Sequence, residues 1–214
     1  MHFHTSETSE CGRLPAAAGI EALAAHGYAG VVVTDHYCDS FFDRREEAWP
    51  DACAAWLAGY RAARAAAPAG FTVLLGAEIR FFDSPNDYLA YGFGEDFLME
   101  HPRLYQMTPA RFSELAKEHG LFFAQAHPFR GYCTRCNPDW VDGIEVYNGN
   151  LRHENRNDEA LAFAEKNGKT QLSGSDFHKY EDTARGGIYF PVLPADEREL
   201  TRLLFAGDFK LRCS

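Results

Sequence analysis

The sequence has no apolar run long enough to cross a bilayer, which excludes an integral helical membrane protein. Positive charge is in deficit: 21 Lys and Arg stand against 31 Asp and Glu, a formal charge of -10. That balance argues against a surface devoted to nucleic-acid phosphates or anionic lipid, though a local cluster of cations can still receive a small anion. Six cysteines in 214 residues are too few for a disulfide scaffold. The stretch Met1–Thr5 lacks the basic and apolar blocks of a signal peptide, so the expected location is the cytoplasm, where thiols stay reduced. No fixed-period repeat is present. No GxGxxG or Walker-type glycine loop occurs either, which removes the main support for a dinucleotide-binding or kinase-like chain.

What is present is globular. Hydrophobic residues make up 46% of the chain and aromatics 14%, enough for a substantial core. Short apolar runs alternate with helical patterns. Strands are predicted at Gly30–Thr34, Phe71–Leu75, Tyr88–Phe93, Leu121–Ala126, Gly143–Tyr147, Lys169–Ser173 and Gly187–Phe190. Helices are predicted at Pro15–His26, Asp51–Ala67, Pro109–His119, Asn155–Asn167 and Asp196–Phe205. Alternation of this kind implies βαβ units and a largely parallel sheet. About seven units suit a closed TIM-like α/β barrel better than an open nucleotide-binding sheet, with residues 1–214 as one domain.

The chemistry-bearing residues fall at the ends of those strands. His2 and His4 are two apart on a short extended segment, so their side chains share a face. Asp35 and His36 follow Val31–Val33, Glu78 follows Val73–Gly76, and His127 closes Leu121–Ala126. Glu145 lies within Gly143–Tyr147, and Asp176 and His178 end the run from Gln171. In a parallel barrel these ends meet at one mouth. Imidazole mixed with carboxylate suits zinc, manganese or iron better than calcium or magnesium. Each residue alone has an ordinary role: a core histidine, a helix-capping aspartate, a glutamate paired with arginine. Six strand ends together point to metal. His26 and His119 precede glycines at helix C-termini and suit the helix dipole, while His101 and His153 receive no role. Cys133-x-x-Cys136 without a second pair is weak evidence for zinc, although Cys11 and Cys38 also follow strands and four sulfurs could gather on that face.

Taken in order, His2-x-His4, Thr34-Asp35-His36, Glu78, His127-Pro128 and Ser175-Asp176-x-His178 resemble the polymerase and histidinol phosphatase (PHP) superfamily. The resemblance implies a distorted seven-stranded (β/α) barrel carrying two or three divalent transition metals and hydrolysing phosphoesters with a metal-bridging hydroxide. It implies that His2, His4, Glu78 and Asp176 hold one metal, that Glu78 bridges to a second bound by His127, and that His36 and His178 hold a third. Asp87 stands where relatives often carry a histidine ahead of Leu-x-Tyr-Gly. Glu7 or Glu10 would supply the ligand from the loop after the His pair, Glu7 being nearer the strand end. Met1 stands where the family usually has an aspartate, which either leaves His2 less firmly oriented or places the natural start a few codons upstream.

The expected substrate is a small phosphorylated metabolite, gripped by Arg130 and Arg185 on mouth loops, with Arg80 next in line. Asp35 is expected to orient His36 or carry a proton. No membrane partner is expected. A nuclease is disfavoured by the net charge, and a catalytically impaired regulatory module is the rival from another class. Phe41, Phe42, Tyr132 and Trp140, in the loops 38–49 and 131–140, are expected to cover a substrate ring or shield the site.

Overall fold

The computed structural model describes residues 1–213. The chain enters through α1 (Ala16–Ala25), β1 (Gly30–Val33) and the two-residue β2 (His36–Tyr37). Three helices, α2 (Asp39–Phe42), α3 (Trp49–Trp56) and α4 (Ala58–Ala66), lead into the long β3 (Thr72–Arg80). Then come β4 (Asp87–Tyr91), α5 (Glu95–Glu100), α6 (Pro109–His119) and β5 (Phe122–Gln125). The last part runs β6 (Gly143–Asn148), α7 (Asn157–Lys166), β7 (Thr170–Gly174), β8 (Gly186–Tyr189), α8 (Glu197–Ala206) and β9 (Lys210–Cys213).

Local chemistry fixes several boundaries. Ahead of α6 the Thr108 hydroxyl accepts from Arg111 N at 3.2 Å, Pro109 opens the first turn, and Gly120 at φ 66° ends the helix. Asp196 caps α8 by accepting from Glu199 N at 2.8 Å, and Gly207 at φ 69° terminates it. The single helix expected over 51–67 is two helices meeting at Leu57. The offset brings Gly59 so close to Asp35 that an added Cβ would lie 2.6 Å from its Oδ2.

The main sheet runs β1-β3-β4-β5-β6-β7, with β2 pairing onto β3. It is mixed, whereas a largely parallel sheet was expected: β4 runs antiparallel to both β3 and β5. The link from β3 to β4, residues 81–86, is too short for the crossover that a parallel pair requires. Nor do the strands form a closed barrel, because no ladder joins β1 to β7. A strap of residues 2–4 occupies that position. Thr34 N donates to Phe3 O at 2.9 Å on one side, and His4 N donates to Phe177 O at 2.9 Å on the other. The result is a curled mixed sheet with helices around it.

Both faces of the sheet are buried, and they differ. Val73, Leu75, Ala77 and Ile79 of β3 pack into the core beneath the helices. The alternate residue Leu74 joins Val32, Leu89, Tyr91, Phe122 and Leu172 on the other face, where Leu200 and Leu204 of α8 cover them. Each such leucine contributes about 1.5–3 kcal/mol on burial, so α8 acts as an apolar stopper at one end. Two pleats further along the same face of β3 stands Glu78, where apolar packing gives way to polar residues. Among the described residues, no helix is long and apolar enough to cross a membrane.

Candidate metal centre

Glu78 is the hub. Its Oε1 lies 3.2 Å from His2 Nε2 and 3.0 Å from His127 Nε2, and its Oε2 lies 3.2 Å from His4 Nε2 and 3.1 Å from His36 Nδ1. Asp176 Oδ1 faces the same space, 3.5 Å from His2 Nε2, 3.4 Å from His4 Nε2 and 3.4 Å from His178 Nδ1. His2, His4, Glu78, His127 and Asp176 are all buried. Residues from the strap, β2, β3 and the segments after β5 and β7 therefore converge on one point, as the sequence pattern predicts.

The surroundings fix which atom of each side chain faces inward. Glu145 Oε1 sits 2.8 Å from His2 Nδ1, while its Oε2 accepts from His127 N at 3.1 Å and Asn148 Nδ2 at 2.9 Å. Ser9 Oγ donates to Asp35 Oδ1 at 2.6 Å and so is left to accept from His4 Nδ1 at 3.2 Å. Cys133 Sγ lies 3.7 Å from His127 Nδ1. The Glu145 and Ser9 contacts make Nδ1 of His2 and His4 donate and so turn Nε2 toward the centre, the usual way a protein sets the tautomer of a metal-binding histidine. Asp176 is split likewise. Its Oδ2 accepts from Arg130 Nη2 at 2.7 Å and from the amides of Asn148 and Asn150, each at 3.3 Å, which leaves Oδ1 free.

Two observations test whether divalent cations fit this centre. The Nε2 atoms of His2 and His4 are buried with no hydrogen-bond partner, because the nearby carboxylate oxygens lie out of line. A buried ring nitrogen left without a partner costs about 1–3 kcal/mol, whichever of a proton or a lone pair it carries. Second, five buried carboxylates (Asp35, Glu78, Asp87, Glu145 and Asp176) have two arginines, Arg80 and Arg130, among their partners. The formal excess is three negative charges. Without metal, protons on three histidines balance it. Burial opposes a charge on His2, yet Glu145, Glu78 and Asp176 raise it well above its ordinary value. Burial likewise opposes a charge on His4, yet Asp176 and Glu78 lift its pKa to about 9. His127, likewise buried, is lifted to about 10 by Cys133 and Glu78. Burial also works against the ionised forms of Glu78 and Asp176, but the histidines around them hold both well below the usual carboxylate range. Divalent cations would replace those protons, and the donor set fits them. His127 at φ 28° and Asp176 at φ 48° hold strained backbone at the cluster, each worth about 1–3 kcal/mol that packing elsewhere must offset.

Other expected residues stand elsewhere. Glu7 is exposed and both its carboxylate oxygens accept from Ala16 N at 3.0 Å, capping α1. Glu10 is exposed and pairs with Arg44 at 2.6 Å. The loop after the His pair instead delivers Cys11, whose Sγ lies 3.1 Å from His178 Nε2. Burial and the carboxylates Glu78 and Asp176 push the Cys11 thiol up to about 12. Asp35 spends its oxygens on Thr5 N, Thr5 Oγ1 and Ser9 Oγ at 2.6–2.7 Å. Through Ser9 it orients the His4 ring and, because Ser9 Oγ also accepts from His36 N at 3.0 Å, reaches His36 by its backbone and not by the expected direct hold on the imidazole. Arg130 is buried in its pairing with Asp176 rather than open to a phosphoryl group. Arg185 donates to Glu181 O at 2.8 Å and makes no contact with the cluster. Asp87 is in place, held bidentately by Arg80 at 2.7 Å and 3.9 Å from His127 Nε2. Glu145, left open by sequence, supplies the carboxylate that Met1 cannot. Cys136 is buried in the core, so the CxxC pair does not form a zinc site.

Two cavities flank the cluster. One, of about 270 Å³, is lined by Cys11, Arg13, Arg152, His153, His178 and Lys179. The other, of about 170 Å³, includes Ser9, His36, Cys38, Phe41 and Arg80. Phe42 is buried under this wall, whereas Tyr132 is half exposed with its hydroxyl 3.3 Å from Asp87.

No family model and no curated sequence matches the chain. Solved structures do share its fold. PsfC from Pseudomonas syringae superposes with a TM-score of 0.64 at 14% identity, covering 92% of this chain and 81% of its own. A proposed metal-dependent phosphoesterase from Bifidobacterium adolescentis gives 0.51 at 16%, with coverage of 95% and 94%. The lesion-specific endonuclease PfuEndoQ from Pyrococcus furiosus gives 0.57 at 14%, and this chain spans 99% of itself but 56% of that protein. At such identities the likeness establishes a common fold.

Proposed function

We propose that the protein is a metal-dependent hydrolase of phosphoesters, acting on a small phosphorylated metabolite. One observation carries the reading: the buried, unpartnered Nε2 atoms of His2 and His4 converge with His127 on the oxygens of Glu78 and Asp176. His2, His4, Glu78 and Asp176 would hold one divalent cation, and Glu78, His127 and Asp87 a second. When bound, such cations make water a nucleophile at neutral pH and offset charge developing on phosphoryl oxygens. The names of proteins that share the fold, a proposed phosphoesterase, an endonuclease and an amidohydrolase, agree with hydrolysis as the class of chemistry.

The chain's own residues do the rest. Glu145 and the Asp35–Ser9 pair hold the rings of His2 and His4, and Arg130 keeps one Asp176 oxygen occupied so that the other stays directed inward. The cavity bearing Arg13, Arg152 and Lys179 adjoins His178 and offers the cationic surroundings that a phosphoryl group needs. This set replaces Arg130 and Arg185 as the phosphate grip. Arg152 is shared with Asp182 at 2.7 Å, which fixes its direction. The -10 charge favours a metabolite over a nucleic acid as substrate.

The test is turnover of a panel of phosphorylated sugars, nucleotides and cyclic phosphates by protein reconstituted with zinc, manganese or iron. Activity that chelation removes and metal restores supports the reading. Full metal loading with no turnover of any phosphoester would favour the regulatory-module alternative. Within an active protein, Arg13→Met should raise KM with little change in metal content.

A further inference from the structure

Four side chains at the outer edge of the cluster form a group of different chemistry. His4, Cys11, His36 and His178 each offer a ligand atom, and these atoms lie within 4.8 Å of one another. Three are imidazole nitrogens and the fourth is sulfur. The His178 ring is fixed because its Nδ1 sits 2.8 Å from Asp176 O, a carbonyl that can only accept. Its Nε2 therefore carries the lone pair, and that lone pair points at Cys11 Sγ, 3.1 Å away. Around tetrahedral zinc a Cys–His edge measures about 3.6 Å from the usual bond lengths, so a shift of about half an ångström would admit an ion. His4 Nε2 is already taken by the cation that His2, Glu78 and Asp176 would hold, so Cys11, His36 and His178 are the donors left to this group.

The loop that brings Cys11 here is tightly built. Ser9 N donates to Thr5 O and Gly12 N to Ser9 O, both at 2.9 Å, and Arg13 N donates to His178 O at 2.8 Å. Gly12 passes so near the loop's own start that a Cβ would sit 2.6 Å from the Thr5 carbonyl carbon. Cys11 is thus held against His178 from both sides.

We propose that Cys11, His36 and His178, with His4 beside them, form a sulfur-containing metal site that selects a thiophilic ion such as zinc over manganese or magnesium. The inference rests on the metal centre proposed above and adds a donor that sequence spacing does not assign. Thiolate and imidazole ligands favour zinc, whereas carboxylate and water suit magnesium and manganese. The centre would then be chemically divided. Positions around Glu78 and Asp87 tolerate harder ions, and the Cys11 position holds the softest.

Cobalt tests this directly, since a cobalt–thiolate bond gives a near-ultraviolet charge-transfer band that nitrogen and oxygen ligands do not. Wild-type protein loaded with cobalt should show the band. Cys11→Ser should lose it together with one equivalent of tightly held zinc, its affinity falling by more than about 100-fold, while the remaining sites fill. Cys38→Ser, which alters a neighbouring thiol bonded to Ser40, should keep the band. Should Cys11→Ser fail to fold, alkylation of the wild type gives a second readout: zinc should protect Cys11 from iodoacetamide, and manganese should not. Cobalt bound without the band, or a band that survives in Cys11→Ser, overturns the sulfur ligand but leaves the histidine–carboxylate centre standing. No cobalt or zinc bound at all overturns both.

Discussion

Arg130 offers the sharpest separation between holding a substrate and holding the protein together. Its guanidinium is buried, 2.7 Å from Asp176 Oδ2, with Asn155 Oδ1 at 3.0 Å and Asn148 Oδ1 at 3.2 Å. Replacement by Met keeps much of the stem but strands a buried carboxylate and two amide oxygens. Breaking a buried ion pair from one side costs about 3–5 kcal/mol. In a chain of this size each kcal/mol lowers Tm by about 2–4 °C, so Arg130→Met should melt about 6–20 °C below wild type. Zinc loading should narrow the gap, because a cation beside Asp176 restores part of the lost charge. Arg185→Met, whose side chain reaches only a backbone carbonyl, should stay within about 0.5 kcal/mol. Calorimetry on chelated and loaded protein measures both. If Arg130→Met melts within about 2 °C of wild type without metal, the pair is not structural and Arg130 does not hold Asp176 in place.

Three further outcomes are expected. Glu78→Gln removes the charge that four histidine nitrogens face, so metal analysis should find at least one equivalent lost and turnover abolished. Glu145→Gln weakens the hold on His2 Nδ1 and should lower metal affinity about 10–100-fold in competition titrations while leaving stoichiometry at saturation intact. In chelated protein, His4 is raised from 6.5 to about 9 despite burial, through Asp176 and Glu78; the stability it contributes is full below pH 6.5 and fades as pH rises through 9. Melts of chelated protein between pH 6.5 and 10 should record that decline, and metal-loaded protein, whose His4 carries no proton, should not share it.

The candidate ligand side chains were legible because they sit at strand ends, and a two-residue period fixes which face each joins. For His2, His4, His36, Glu78, His127, Asp176 and His178 that rule pointed to a shared face, and the resemblance to the PHP pattern supplied which of them group together. Strand direction was not legible: Tyr88–Tyr91 reads as a buried apolar run whichever way it points, and only the short 81–86 link betrays the reversal. Glu7 and Glu10 misled because carboxylates are equally suited to capping helices and pairing on the surface, and both do so in this fold. Cys11 carried only a weak signal, a thiol on the loop after a His pair, where carboxylates are the commoner expectation. Glu145 was visible on its strand, but its partner was hidden, since nothing local ties residue 145 to residue 2.

That last separation bears on the order of folding. The His2–Glu145 contact spans 143 positions, and the strap that carries His2 is held between Thr34 and Phe177. Contacts so distant in sequence form slowly, because the chain loses loop entropy before they reward it. On a ribosome the two histidines are made well before Glu145 and Asp176, so the full donor set is complete only once Asp176 has been made. The sheet and its helices can be largely in place by then, so acquisition of metal marks completion of the fold and does not initiate it. In refolding experiments, the metal signal should accordingly lag the recovery of secondary structure.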